Sequence, residues 1–331
     1  METEKILGQN HILKHFENAI RMGKISHAYI INGEEGSGKM RLAVHFAKAL
    51  QCQQSSTGTA CGQCRSCHQT DSGNQPDIKY ITYEKSGIGV DEIREQINND
   101  IDIKPYSSRY KIYIVPDSEK MTVQAQNALL KTIEEPPEYA IIILLTTNAD
   151  IFLQTILSRC VLLNIRPVKE ETIKNHLMSV YHVGNYDANV AAAFANGNPG
   201  KAIKLATSEE FKDLKQQVVG TLVSLDKGGM DIISQKIKEA GEFKKQIEDY
   251  FGLMRTWFRD VLLYKATKDQ SKLIFQDDYH EIINMSDKLS YFHINGILKS
   301  IDQAWSRIKS NVNFDVTMEV LFLSIKERIK K

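Results

Sequence analysis

The sequence predicts an α/β doubly wound domain followed by an all-helical region, and three observations carry that prediction. Short runs that are apolar throughout alternate with helical patterns over the first half. Strand signals end after Pro167. Between the first run and its helix stands a glycine-rich stretch, NGEEGSGKMR at 32–41. Uninterrupted apolar runs are what strands of a parallel sheet covered on both faces look like, because neither face is left to water.

The runs are AYII at 28–31, IKYIT at 78–82, KIYIV at 111–115, AIIILL at 140–145 and CVLLNI at 160–165. Helices fit between them. One is expected to start at Asp91 as N-cap and to carry Ile93, Ile97 and Ile101 at four-residue spacing. Another carries Ala125, Ala128, Leu129 and Ile133 and stops before Pro136 and Pro137, since a proline biases the preceding residue away from helical dihedrals. Residues 168–208 read as short helices broken by GNPG at 197–200, and from 209 the pattern is helical to the end. Ile247, Tyr250, Phe251, Met254, Phe258, Val261 and Leu262 form one helix face and Ile301, Ala304, Trp305 and Ile308 another, both read as core packing. The expected division is 1–166, with a cysteine module at about 50–70, then 167–208, then 209–331.

At 331 residues the chain can bury two or three cores, and its 42 basic and 41 acidic residues leave a net charge of +1. That balance argues against a strongly electrostatic nucleic-acid binder. METEKILGQNHILKHF lacks the apolar run of a signal peptide, and AIIILLTT at 140–147 is too short to cross a bilayer, so the expected location is cytoplasmic, with no membrane partner.

In a reducing compartment, four cysteines within sixteen residues point to metal. Cys52, Cys61, Cys64 and Cys67 stand at spacings of nine, three and three. Two overlapping C-x-x-C pairs, with Cys52 closing the preceding helix, suit a tetrahedral structural zinc site. CRSCH at 64–68 also matches a c-type haem attachment signature, which would need an oxidising compartment and leave Cys52 and Cys61 idle. An iron–sulfur cluster of the bacterial ferredoxin type would want a further cysteine where Asp71 stands. Cys160 lies outside the group and is expected as a small buried residue.

Gly33, Gly36, Gly38 and Lys39 form the frame of a phosphate-binding loop in its proper context, after a strand and before a helix. The hydroxyl that normally ligates Mg²⁺ is replaced by Met40, whose soft thioether a hard cation does not choose. The second metal position should be acidic and close a later strand; after KIYIV it is Pro116, followed by Asp117. Two Mg²⁺ ligands are missing, one from each motif, so no Mg²⁺ site is expected, ATP or ADP binding is expected to be weak or absent, and intrinsic hydrolysis is not expected.

LGQ at 7–9, HAYIINGEEGSGK at 27–39, the four cysteines, MTVQAQNALLKTIEEPP at 121–137, LLTTN at 144–148, LSRC at 157–160 and NGNPGKA at 196–202 occur in this order. Together they resemble the bacterial DNA polymerase III clamp-loader subunits of the AAA+ family, over roughly residues 6–202. The resemblance implies a RecA-like AAA+ domain with an inserted zinc module, a small helical lid and an all-helical oligomerisation collar. It implies that Arg159 of LSRC reaches in trans to the γ-phosphate held by a neighbouring motor subunit, that Thr147 and Asn148 lie at the first sensor, and that Leu7, Gly8 and Gln9 lie near the adenine. Lys201 stands where active members carry a sensor arginine. The implied role is a non-motor, stator-like subunit in a hetero-pentamer with tau/gamma motor subunits and a clamp-opening delta subunit, acting on the sliding clamp and primer-template DNA. The alternative is a tau/gamma-like ATPase motor with an unconventional metal site.

Overall fold

The structure, a computed structural model, describes residues 6–55, 57–84, 87–229 and 231–330. Met1–Lys5, at the start of METEKILGQNHILKHF, and Ser56, within the polar stretch between Cys52 and Cys61, lie outside the described residues. The chain divides into two compact units, one formed by the residues up to Ile173 with Asn196–Lys201, the other by Lys174–Ala195 and Ala202 onward.

The first unit is built on a five-stranded parallel sheet: β1 (Ala28–Asn32), β2 (Ile78–Tyr80), β3 (Lys111–Val115), β4 (Ala140–Thr146) and β5 (Val161–Asn164), in the order β2-β3-β4-β1-β5. In register, Ala28 of β1 pairs with Ile142 of β4, and Lys111 of β3 with Ala140. β4 is buried along its whole length, as AIIILL predicts. β5 is an edge strand with Leu162 exposed, so an apolar run there meets water on one side.

Alternation along the strands sends side chains to two layers. Tyr29, Ile31, Ile112, Ile114, Ile141 and Ile143 pack with α1 (Asn10–Met22) and α2 (Lys39–Gln51), where Phe16 and Phe46 stack at 4.0 Å between ring centroids. α3 (Arg65–Asp71) follows α2 through the cysteine segment. On the other face Ile30, Tyr113, Val115, Ile142 and Leu144 pack with α4 (Val90–Ile93), its π-helical continuation Arg94–Asn98, and α5 (Val123–Glu134). Each fully buried aliphatic side chain in these layers contributes about 1.5–3 kcal/mol.

Ile93, Ile97 and Ile101 are buried as their spacing predicts, but Asp91 is not the N-cap. Gly89 is, and the Glu92 carboxylate accepts its N–H at 2.9 Å, which starts the helix two residues earlier. α5 ends at Glu134, before the two prolines. α6 (Gln154–Leu157) is a single turn leading into β5. α7 (Glu170–Val180), α8 (Asn185–Phe194) and α9 (Pro199–Thr207) follow, the last starting on a proline whose missing N–H costs nothing in a first turn.

In the second unit α10 (Glu209–Lys227), α11 (Asp231–Glu242), α12 (Ile247–Thr267), α13 (Tyr279–Lys288), α14 (Tyr291–Lys309) and α15 (Phe314–Lys330) form a helical bundle. Tyr250, Phe251, Met254, Phe258 and Val261 are buried on α12 and Ile301 and Ala304 on α14, so both predicted stripes are core. Buried Asp260 accepts the N–H groups of Ile274 and Phe275 on one oxygen, at 2.6 and 2.9 Å. No helix is long and apolar enough to cross a membrane, among the described residues.

Candidate nucleotide-loop face and cysteine cluster

With β4 lying between β1 and β3, the ends of three strands place the loop Gly33–Gly38, the Pro116–Lys120 segment and Thr147–Asn148 side by side. The loop is anchored at its root by Gly33 N–H to the Thr146 carbonyl at 3.0 Å. Gly36 (φ +77°) and Gly38 (φ +96°) adopt left-handed backbone that side chains disfavour. The GNPG segment closes over the loop: Asn198 donates to the Glu35 carbonyl at 2.7 Å, and Gly200 N–H donates to the Gly36 carbonyl at 3.0 Å. Any side chain at Gly200 would collide with the Gly36 backbone, so this approach requires glycine at position 200, while the positive φ of Gly36 favours glycine on the other side.

Lys39, Asp117, Glu119 and Lys120 each have a partner within the chain. The Lys39 ammonium donates to the Gly33 and Glu34 carbonyls, at 2.6 and 2.9 Å. Burial lowers its pKa, and the carboxylates of Glu119, Asp117, Glu35 and Glu34 oppose that shift. Asp117, at a left-handed φ of +44°, accepts from the Tyr83 hydroxyl at 2.6 Å and from Lys120 at 3.2 Å. The Tyr83 hydrogen bond, with Lys120, holds the Asp117 carboxyl below the usual range. Lys120 also donates to the Tyr83 hydroxyl at 2.8 Å. Glu119 accepts from the Thr147 hydroxyl at 2.9 Å and from its N–H at 3.2 Å. Pro116 and Met40, which stand at the two positions that the resemblance assigns to Mg²⁺ ligands, carry no side-chain oxygen.

The surroundings of three residues singled out by the resemblance are as follows. Asn148 turns its side chain to the Asp150 N–H, at 3.0 Å. Lys201 is exposed, and its backbone N–H donates to Asn198 at 3.1 Å. Gln9, almost wholly buried, pins the Arg166 backbone at two points, donating to its carbonyl at 2.6 Å and accepting its N–H at 3.0 Å. Sequence reasoning missed this pin and the Tyr83–Lys120–Asp117 group, because each joins residues far apart in the chain.

Arg159 follows α6 on the surface. One Nη donates to the Thr155 carbonyl at 3.0 Å and to the Ser158 hydroxyl at 3.2 Å, and the other lies 3.1 Å from a carboxylate oxygen of Glu134. Cys160 next to it is partly buried against the sheet core, and burial pushes its thiol up to about 12, as suits an inert packing residue.

The four clustered cysteines converge. Their sulfurs all lie within 4.8 Å of one another, with Cys61 and Cys67 at 3.9 Å. Tetrahedral zinc with bonds of about 2.3 Å sets its sulfurs roughly 3.8 Å apart, so the donor set fits zinc. Backbone N–H groups of Cys61, Cys64 and Cys67 point at sulfurs of Cys52, Cys61 and Cys64 at 3.3–3.4 Å, the outer-shell support a thiolate cluster needs. Burial resists ionisation of Cys64, yet N–H groups of Cys67 and Gln53 and the neighbouring thiols bring it down to about 6. Burial pushes Cys67 up to about 12, so without metal the cluster shares protons unequally.

A phosphate-loop parallel sheet with helices on both faces, followed by helices alone, defines an AAA+ type of protein. A family model described as DNA polymerase III, delta subunit, matches residues 8–169, and its C-terminal counterpart matches residues 210–327. The chain belongs to this family of DNA polymerase III clamp-loader subunits, and its similarity runs to the delta-prime branch. It is 28% identical to DNA polymerase III subunit delta' of Bacillus subtilis over 96% of each chain. It is 32% identical to subunit tau of the same organism over 80% of this chain and 50% of that one. Among solved structures, a gamma-subunit-related protein of Thermotoga maritima aligns over 96% of this chain and 99% of its own, at 21% identity and a TM-score of 0.42. The RuvB Holliday junction branch migration motor of Thermotoga maritima aligns over 99% and 90%, at 14% identity and a TM-score of 0.44.

Proposed function

We propose that this chain is a non-motor, stator-like subunit of a sliding-clamp loader: it turns over no nucleotide itself and supplies Arg159 in trans to ATP bound by a neighbouring tau/gamma-like motor subunit. One observation carries the reading. The phosphate loop keeps its backbone frame while Met40 and Pro116 occupy both metal positions and Lys39 is bonded to the loop's own carbonyls. Phosphoryl transfer rests on charge neutralisation and positioning, and both are lacking here. Arg159, by contrast, is exposed at the surface with donors to spare. The relatives named above include a delta' and a tau subunit, which supports assembly with such partners.

Within that assembly residues 167–208 act as a lid and residues 209–331 as the collar. The partners on this reading are the motor subunits, a clamp-opening delta subunit, the sliding clamp and, through the complex, primer-template DNA. Cys52, Cys61, Cys64 and Cys67 hold one structural zinc, which orders a segment with little core of its own. Magnesium-dependent ATP hydrolysis by the purified chain, abolished by Lys39→Ala, would reject the stator reading in favour of the motor alternative.

A further inference from the structure

We propose that Glu134 is a positioning residue for Arg159, fixing the guanidinium so that its remaining donors face outward to a phosphate on the neighbouring subunit. The inference rests on the stator reading above and adds to it the device that aims the arginine. Arg159 is tied by Thr155 and Ser158 through one Nη, at 3.0 and 3.2 Å, and by Glu134 through the other, at 3.1 Å. A guanidinium has five N–H donors, so the hydrogen bonds to Thr155 and Ser158 and the ion-pair contact with Glu134 leave at least two with no partner among the described residues. The first two ties come from Arg159's own turn and travel with it. Glu134 alone is a fixed point on another element, the last residue of α5.

Its place on that helix is informative. The C-terminal end of a helix carries partial negative charge and favours cations. TIEEPP puts Glu134 and Glu135 there, against that preference. A local choice that opposes its own element is expected where function overrides stability. Here the Arg159 guanidinium supplies the cation, 25 residues on in sequence (159 − 134). The pair is half-exposed, at 41% for Arg159 and 45% for Glu134, so its contribution to folding is small. Its effect lies in the rotamer freedom that Arg159 no longer has to lose when a phosphate arrives, about 0.5–1.5 kcal/mol for a long side chain, or roughly two- to tenfold.

The test uses the complete loader reconstituted with its motor subunits, clamp and primed DNA. E134A is expected to lower kcat for ATP about two- to tenfold with KM nearly unchanged, and E134Q, which keeps an amide oxygen beside the guanidinium but loses the charge, to restore only part of it. In an R159A background E134A should change nothing further, since Glu134 acts only through Arg159. Full turnover by E134A beside an impaired R159A overturns the positioning claim, as does a loss that multiplies with that of R159A. Full turnover by R159A instead overturns the stator reading itself. The isolated chain separates the two failures: phenylglyoxal should modify Arg159 two- to tenfold faster in E134A, read by mass spectrometry, and an unchanged rate rejects the hold that Glu134 exerts.

Discussion

Two corners of the same sheet unit use their charges in opposite ways. Around the phosphate loop, Lys39 is turned to backbone carbonyls, Asp117 to Tyr83 and Lys120, and Glu119 to Thr147. At the end of α6, Arg159 is steadied on one side and open on the other. A working nucleotide site holds its charges ready for a ligand and lets the ligand complete them. On the proposed reading, only the Arg159 corner has that character. The difference teaches that the loop's frame and the loop's chemistry are separable: backbone geometry persists when the groups around it have been satisfied by one another.

The sharpest way to break this comparison is to delete one charge from each corner. In the reconstituted loader, Arg159→Ala is expected to lower turnover at the neighbouring site by about 10³-fold or more, the scale of an arginine supplied in trans in other nucleotide hydrolases. Lys39→Ala in the same chain is expected to leave turnover within about twofold, the scale of a half-exposed lysine bonded only within its own loop. The reverse pattern would place the chemistry in this chain's own loop. Equal losses from both would remove the contrast altogether.

The cysteine cluster extends the comparison to a region ordered by its ligand. Metal analysis of the purified chain is expected to find one zinc, bound by Cys52, Cys61, Cys64 and Cys67. Cys67→Ser is expected to release it and to lower the thermal midpoint by about 10 °C, because among the described residues from Cys52 to Asp71 few side chains apart from the cluster are buried. Cys160→Ser should retain the metal. Zinc retained by Cys67→Ser, or iron in place of zinc, would count against the assignment.

These regions differ in how far they were legible. The strands were readable because β1, β3 and β4 are buried on both faces, so AYII, KIYIV and AIIILL carry no polar interruption. β5 was readable as a strand but not as an edge, since exposure of Leu162 depends on which strand lacks a neighbour. The cysteine cluster was readable because its ligands are close in sequence and the local turns bring them together. The Asp91 cap was misplaced because Gly89, lacking a side chain, gives no capping signal, and Glu92 does the bonding from inside the helix. Gln9 with Arg166 and Tyr83 with Asp117 are joined only by the fold, at separations of 157 and 34 residues.

The helical unit offers a buried carboxylate that is satisfied on one side only. Both N–H bonds to Asp260 reach the same oxygen, and the other has no hydrogen-bond partner, with Arg259 3.8 Å away. Burial pushes this carboxyl up to about 6, against the lowering effect of the two N–H groups and Arg259. The folded state therefore binds a proton that the unfolded chain, with an ordinary pKa near 4, has already released. Stability from this group is present below about pH 4 and is lost as pH rises to about 6, in total about 2–3 kcal/mol. Asp260→Asn keeps one oxygen to accept both N–H groups and carries no charge. Urea titrations at pH 5 and pH 7 should show this dependence in the parent and its loss in the variant; an equal slope in both would reject the assignment.

The smallest change returns to the loop corner. Tyr83→Phe removes the hydroxyl that donates to Asp117 and accepts from Lys120, at a cost of about 1 kcal/mol or less, since Asp117 and Lys120 are half-exposed and water replaces the bond. Its carboxyl should also titrate higher, because the Tyr83 bond is the chief cause of its lowering. With a depressed folded value, the stability Asp117 adds is present above the ordinary carboxylate pKa and fades as pH falls through the folded one; in the variant that acid-side loss shrinks. Activity is the decisive measurement. If the absence of metal ligands at Met40 and Pro116 is what silences the loop, a released Asp117 still has no metal to work beside, and Tyr83→Phe hydrolyses no ATP. Magnesium-dependent turnover appearing in that variant would mean that Asp117 was held in check by its partners, and that the loop is a restrained engine with its parts intact.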